Sequence, residues 1–127
     1  MTEAHTPTIP TVTLPGGDMP LLGLGTWQSE GSEAERAVIA ALELGYTHVD
    51  TATGYGNEAE VGRALAAVDV DRDAVFVTTK LPPDRAGRER QTLMESLAAL
   101  GTDHLDLWLV HWPPNKQATP ETWAAFI

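Results

Sequence analysis

Residues 48–62 read HVDTATGYGNEAEVG: an extended triplet, a Thr/Gly-rich loop, then a stretch of helix-forming residues. The triplet closes on Asp50, and a carboxylate at the end of a buried strand is costly unless a cation answers it. Tyr55 follows five residues later. Asn57 and Glu60 are expected to cap a helix whose Val61, Ala64, Leu65 and Val68 fall at i, i+3, i+4 and i+7, the spacing of one apolar face. The stretch is therefore a strand, a chemistry-bearing loop and a helix.

Working outward, the same unit recurs. Upstream, LLGLGTW (21–27) is a short apolar strand, and Ser32-Glu33-Ala34-Glu35 reads as a capping box opening a helix with Val38, Ala41 and Leu42 on one face and Gly45 as its stop. Downstream come the strand AVFVTTK, a helix expected to turn Leu93, Leu97 and Leu100 inward before Gly101, and LDLWLVH, apolar almost throughout as doubly covered parallel strands are. Thr119-Pro120 opens a fourth helix. Ahead of all this, TVTLPGGDMPLL alternates around Gly16-Gly17 and predicts a hairpin over residues 11–22, behind a flexible leader of residues 1–10.

The strands end near Trp27, Asp50, Lys80 and His111, at intervals of 23, 30 and 31 residues. Repeated βα units of that length build either an open doubly wound α/β sheet or a (β/α)8 TIM barrel, and in both the chemistry gathers at the carboxyl ends of the strands. A hairpin closing the amino-terminal end favours the barrel. About four βα units of one are present, in a single domain over residues 1–127.

Composition narrows the functions. Of 127 residues, 43% are apolar, enough for a core, and 18 acidic against 8 basic side chains give a net charge of −10, which argues against nucleic acid and anionic membrane surfaces as partners. There is no cysteine, so disulfides, thiol catalysis and zinc–cysteinate sites are excluded, and a reducing cytoplasm is the expected location. No stretch reaches the roughly 18 apolar residues of a membrane helix, and the first residues lack the pattern of a secretory leader. His5 and His104 show no ligand spacing, so no metal site is expected. His48 lies within a strand and reads as structural. Glu33, Glu35, Glu43, Glu58 and Glu60 read as solvated outer helix faces.

Asp50, Lys80 and His111 close different parallel strands and should meet at one rim, with Tyr55 over the same opening. Lys80 is then the cation that keeps Asp50 ionised. An ammonium beside a phenol also favours the phenolate, so that the phenol can give its proton to a carbonyl oxygen. A neutral His111 would fix that oxygen. Taken singly, each has a plainer reading: a turn cap for Asp50, a surface loop residue for Tyr55, a solvated strand end for Lys80, a core histidine for His111. Their recurrence at successive strand ends favours chemistry.

GYTHVDTATGYGNEAEVG (45–62) resembles the first signature of the aldo-keto reductase family, departing at Thr47 where arginine is usual; GLGTW and LVHWP match further family segments. The resemblance covers the chain from about Val12 onward. It implies an NADPH-dependent oxidoreductase that reduces an aldehyde, ketone or sugar carbonyl to the alcohol, with Tyr55 as proton donor, Asp50 and Lys80 tuning it and His111 orienting the carbonyl. It further implies cofactor contacts from Gly25, Thr26, Trp27 and Asp50, and a substrate pocket walled by Trp27, Tyr55, His111 and Trp112. Two alternatives stand beside it. Gly54, Gly56 and Ala59 spell the G-x-G-x-x-A of a Rossmann dinucleotide-binding domain, although the following strand ends in Lys80 rather than an acid. And a half barrel with open strand edges could be a non-catalytic piece that self-associates or takes up a complementary half.

Overall fold

The computed structural model describes residues 8–113 and 119–127; His5 and most of the leader expected over residues 1–10 lie outside them. Strands β1 (Thr11–Leu14) and β2 (Gly17–Pro20) pair antiparallel, with Leu14 opposite Gly17. Then follow β3 (Leu24–Gly25), α1 (Gly31–Glu43), β4 (His48–Asp50), α2 (Glu58–Ala67), β5 (Phe76–Leu81), α3 (Glu89–Leu100), β6 (Leu107–Val110) and α4 (Pro120–Phe126). Strands β3 to β6 form one parallel sheet whose spatial order is the chain order. A doubly wound sheet would reverse direction at a switch point. Stepwise order is that of a barrel wall, so the Rossmann alternative fails on topology.

Alternation along the strands separates packing from chemistry. Val49 and Val77 point to the helices and join Val38, Leu42, Val61, Ala64, Val75 and Leu100 in the core. The intervening His48, Asp50, Thr78 and Lys80 share the other face. His48 is structural there, as expected: its Nδ1 lies 3.0 Å from the Pro20 carbonyl and its Nε2 2.9 Å from the Thr78 hydroxyl. A carbonyl only accepts, so Nδ1 carries the proton in the neutral ring and Nε2 accepts from Thr78. The imidazole thereby ties the hairpin to the sheet.

Several local expectations are corrected. Helix α1 starts at Gly31 with Glu30 as N-cap, and Ser32, already inside the first turn, accepts from Arg36 at 3.4 Å instead of capping. In α3 the inward face is Glu89, Thr92, Ser96 and Leu100; Leu93 and Leu97 are only half-buried. The polar residues can face inward because each has a partner: the Thr92 hydroxyl donates to the Arg88 carbonyl and Ser96 meets Thr53 at 3.1 Å. Glu58 is likewise buried, not solvated, and accepts from the Thr79 hydroxyl at 2.7 Å. Strand β3 is shorter than LLGLGTW suggested, leaving Trp27 in the following loop, and β6 is half-buried rather than doubly covered because β5 is its only sheet neighbour among the described residues. At α4 the expected cap is present: the Thr119 hydroxyl accepts from the Thr122 N–H at 3.3 Å, with Pro120 in the first turn.

Helices α2 and α3 cross closely at Gly62, where an added Cβ would lie 2.3 Å from the Ala99 carbonyl oxygen. Backbone cannot step aside as a side-chain tip can. Gly62→Ala is therefore expected to destabilise the fold by about 1–3 kcal/mol, read as a lower denaturant midpoint; a wild-type midpoint would show that the two helices separate freely.

Candidate active site

At the carboxyl ends of β4 and β5, register sets Asp50 beside Thr78, and Lys80 lies one pleat further along the same face. Lys80 Nζ donates to Asp50 Oδ1 at 2.6 Å, to the Thr51 carbonyl at 2.8 Å and to the Tyr55 hydroxyl oxygen at 3.3 Å. An ammonium has three N–H groups, and all three are used. Tyr55 reaches this position on a single 3-10 turn, Thr53–Tyr55, which Gly56 ends in the left-handed region (φ 71°). That glycine lets the chain swing from the tyrosine straight into α2.

His111 follows β6, its N–H donating to the Leu81 carbonyl at 2.9 Å. Its ring stands edge-on to Tyr55, centroids 5.5 Å apart and planes at 84°, and lies nearly parallel to Trp112 at 6.0 Å. Burial lowers the imidazole's pKa, the Lys80 charge lowers it further, and Asp50 opposes both. The ring is held toward its neutral form, which can donate from one nitrogen and accept at the other.

The geometry thus brings Asp50, Tyr55, Lys80 and His111 together. Gly25 is in register with Asp50, and Thr26 is tied to it: the Thr26 N–H and hydroxyl donate to the Asp50 carbonyl at 3.0 and 3.2 Å. Trp27 and Trp112 stand at the rim and are 68% and 65% exposed, Trp112 facing only the His111 ring among the four groups. Two contributors went unread in the sequence. Thr51 offers its backbone carbonyl to Lys80, an atom every residue has and no motif marks. Asn57 occupies the N-cap position of α2, but its side chain makes no cap bond and reaches into the loop after β3.

The sequence profile of the Aldo/keto reductase family matches residues 21–126. The methylglyoxal reductase of Salmonella typhimurium is 51% identical over 113 residues, covering 88% of this chain and 41% of its own. Among solved structures, an aldo/keto reductase from Brucella melitensis superposes with a TM-score of 0.86 at 46% identity, covering 94% of this chain and 48% of its own. A Bombyx mori aldo-keto reductase in complex with NADP does so with a TM-score of 0.81 at 36% identity, covering 93% and 45%. The chain belongs to the aldo/keto reductase family, whose fold is the (β/α)8 barrel, and it carries four of the βα units. It spans less than half the length of these relatives.

The lowered His111 pKa has a definite sign. The unfolded chain takes up this proton more readily than the folded one, so the stability linked to His111 is complete above the ordinary 6.5 and is lost as pH falls through the lower folded value. An NMR titration should find the His111 midpoint below 6.5, and Lys80→Met should raise it. A midpoint untouched by that substitution would leave burial as its only cause.

Proposed function

We propose that this chain supplies the catalytic wall of an NADPH-dependent reductase that converts an aldehyde, ketone or sugar carbonyl to the alcohol, with Tyr55 as the proton donor. The single observation that carries the reading is Lys80 Nζ donating to the Tyr55 oxygen at 3.3 Å while Asp50 holds the same ammonium at 2.6 Å. Because Tyr55 accepts from Lys80, its own O–H hydrogen points elsewhere and is free to be given to a ligand. Polarisation along the chain from Lys80 through Tyr55 strengthens that donation.

A carbonyl oxygen is received between the Tyr55 hydroxyl and the neutral His111 ring. As the oxygen gains negative charge it draws the Tyr55 proton, and the phenolate left behind faces the Lys80 ammonium. Asp50 keeps Lys80 aimed at the phenol oxygen. The residues at the mouth leave room for a nicotinamide riboside: Gly25 has open space where a Cβ would stand, and the Asp50 side chain, 36% exposed, keeps acceptor surface for a ribose hydroxyl. NADPH, when bound, supplies the hydride to the carbonyl carbon. Support for that cofactor comes from the relative solved with NADP, and support for a small carbonyl substrate from the methylglyoxal reductase.

The reading also accounts for the outer strand β6. Along β6 an apolar groove of about 440 Å³ is lined by Leu107, Leu109, Val110, Pro113 and Trp123. We take its occupant to be the remaining βα units of the family barrel, because the methylglyoxal reductase that this chain matches is more than twice its length.

The experiment is Tyr55→Phe in the protein completed with those units. Carbonyl reduction should fall by about 10²–10⁴-fold with NADPH affinity unchanged; retained turnover would remove Tyr55 from the acid role. The mass in solution of the 127-residue chain, alone and mixed with the complementary half, tests the groove. A stable homodimer that refuses the second half would assign the groove to another copy of the chain.

A further inference from the structure

Asn57 is 1% exposed and spends both N–H groups and its oxygen on other parts of the chain. Its Nδ2 donates to the carbonyls of Thr26 at 2.8 Å and Ser29 at 3.0 Å. Its Oδ1 accepts from the Thr51 hydroxyl at 2.7 Å and lies 3.4 Å from the Thr26 hydroxyl, whose single hydrogen is shared with the Asp50 carbonyl. One side chain therefore joins the loop after β3 to the loop after β4.

What it grips in the first loop is a strained turn. The Ser29 N–H donates to the Thr26 carbonyl at 3.2 Å, closing a turn over Trp27 and Gln28. Gln28 has φ 61° and is the sole non-glycine residue with positive φ among the described residues. That position of a turn normally takes Gly or Asn, since other side chains crowd the backbone there. Strain of this kind persists only where surrounding contacts over-determine the conformation. The Asn57 amide is such a contact, because its two N–H groups hold the carbonyls on both sides of Gln28.

We propose that Asn57 is a positioning residue whose carboxamide clamps the Trp27–Gln28 turn against the Tyr55 loop and so sets where the Trp27 indole stands at the mouth of the site. Trp27 makes no packing of its own that could do this, being 68% exposed. The catalytic consequence rests on the reductase reading; the clamp does not.

The 127-residue chain labelled with 5-fluorotryptophan tests it. Its four tryptophans give four fluorine resonances, and Trp27→Phe assigns the one that matters. Asn57→Asp keeps the shape and the acceptor but loses both N–H donors. The Trp27 resonance should shift or split, and exchange of the Ser29 amide should quicken about tenfold, the size expected of one buried hydrogen bond. Trp108, stacked on Phe126 at 3.9 Å, and the core amide of Val77 should not change.

Asn57→Ser avoids a buried carboxylate if the aspartate variant does not fold, and it should show the same two effects. Adding Gln28→Gly, which removes the strain, should slow Ser29 exchange again. The proposal is overturned if Trp27 and Ser29 are unmoved, if Trp108 and Val77 change as much as they do, or if Gln28→Gly rescues nothing. In the completed barrel, Asn57→Ser should raise the KM for NADPH more than it lowers kcat. Tyr55→Phe measured alongside separates the two ideas: turnover surviving that change sinks the reductase reading, while the fluorine spectra still judge the clamp.

Discussion

Lys80 has three N–H groups, and each meets a different oxygen: a carboxylate from β4, a backbone carbonyl from the residue after it, and a phenol from the loop beyond. The lysine side chain is only 12% exposed, so a missing partner would leave a charge poorly solvated. The three bonds together hold the ammonium in place and bring the Asp50 strand end, the Thr51 turn and the Tyr55 loop to one point. Moving β4 by one residue would turn the Asp50 side chain to the helix side of the sheet. The site and the register of β4 against β5 are therefore one constraint.

A second layer of polar contacts supports that point. Thr26 lies on Asp50, Asn57 lies on Thr26 and Thr51, and Thr53 meets Ser96 of α3. These hydroxyls and amides are mostly buried, where an unpaired polar group is expensive and a paired one is rigid. The loops after β3 and β4 are consequently held to each other and to α3 despite their irregular backbone.

The opposite end of the sheet is built for cohesion. Arg72, just ahead of β5, donates to the carbonyls of Val75 and His104 and to the Thr102 hydroxyl, and pairs with Asp106 at 3.0 Å; Asp106 in turn accepts from the Val77 N–H at 2.8 Å. His48 adds the link to the hairpin. Barrels commonly divide their labour in this way, with stability at the amino-terminal ends of the strands and chemistry at the carboxyl ends.

Much of this was readable in advance. The spacing of strand ends yields the βα repeat, and hydrophobic alternation decides which residues of β4 and β5 face the helices, so Asp50, Lys80, Tyr55 and His111 can be expected at one rim from the linear order alone. Polar residues with two plausible fates were not readable. Glu58 belongs on a solvated helix face by composition, yet it is buried because the Thr79 hydroxyl of β5 stands opposite. Asn57 reads as a helix cap, a local role, whereas its amide is spent on carbonyls 31 and 28 residues away. Local order settles periodicity because side-chain direction follows from the backbone repeat; only the folded chain decides which buried polar atoms meet, because their partners come from distant elements.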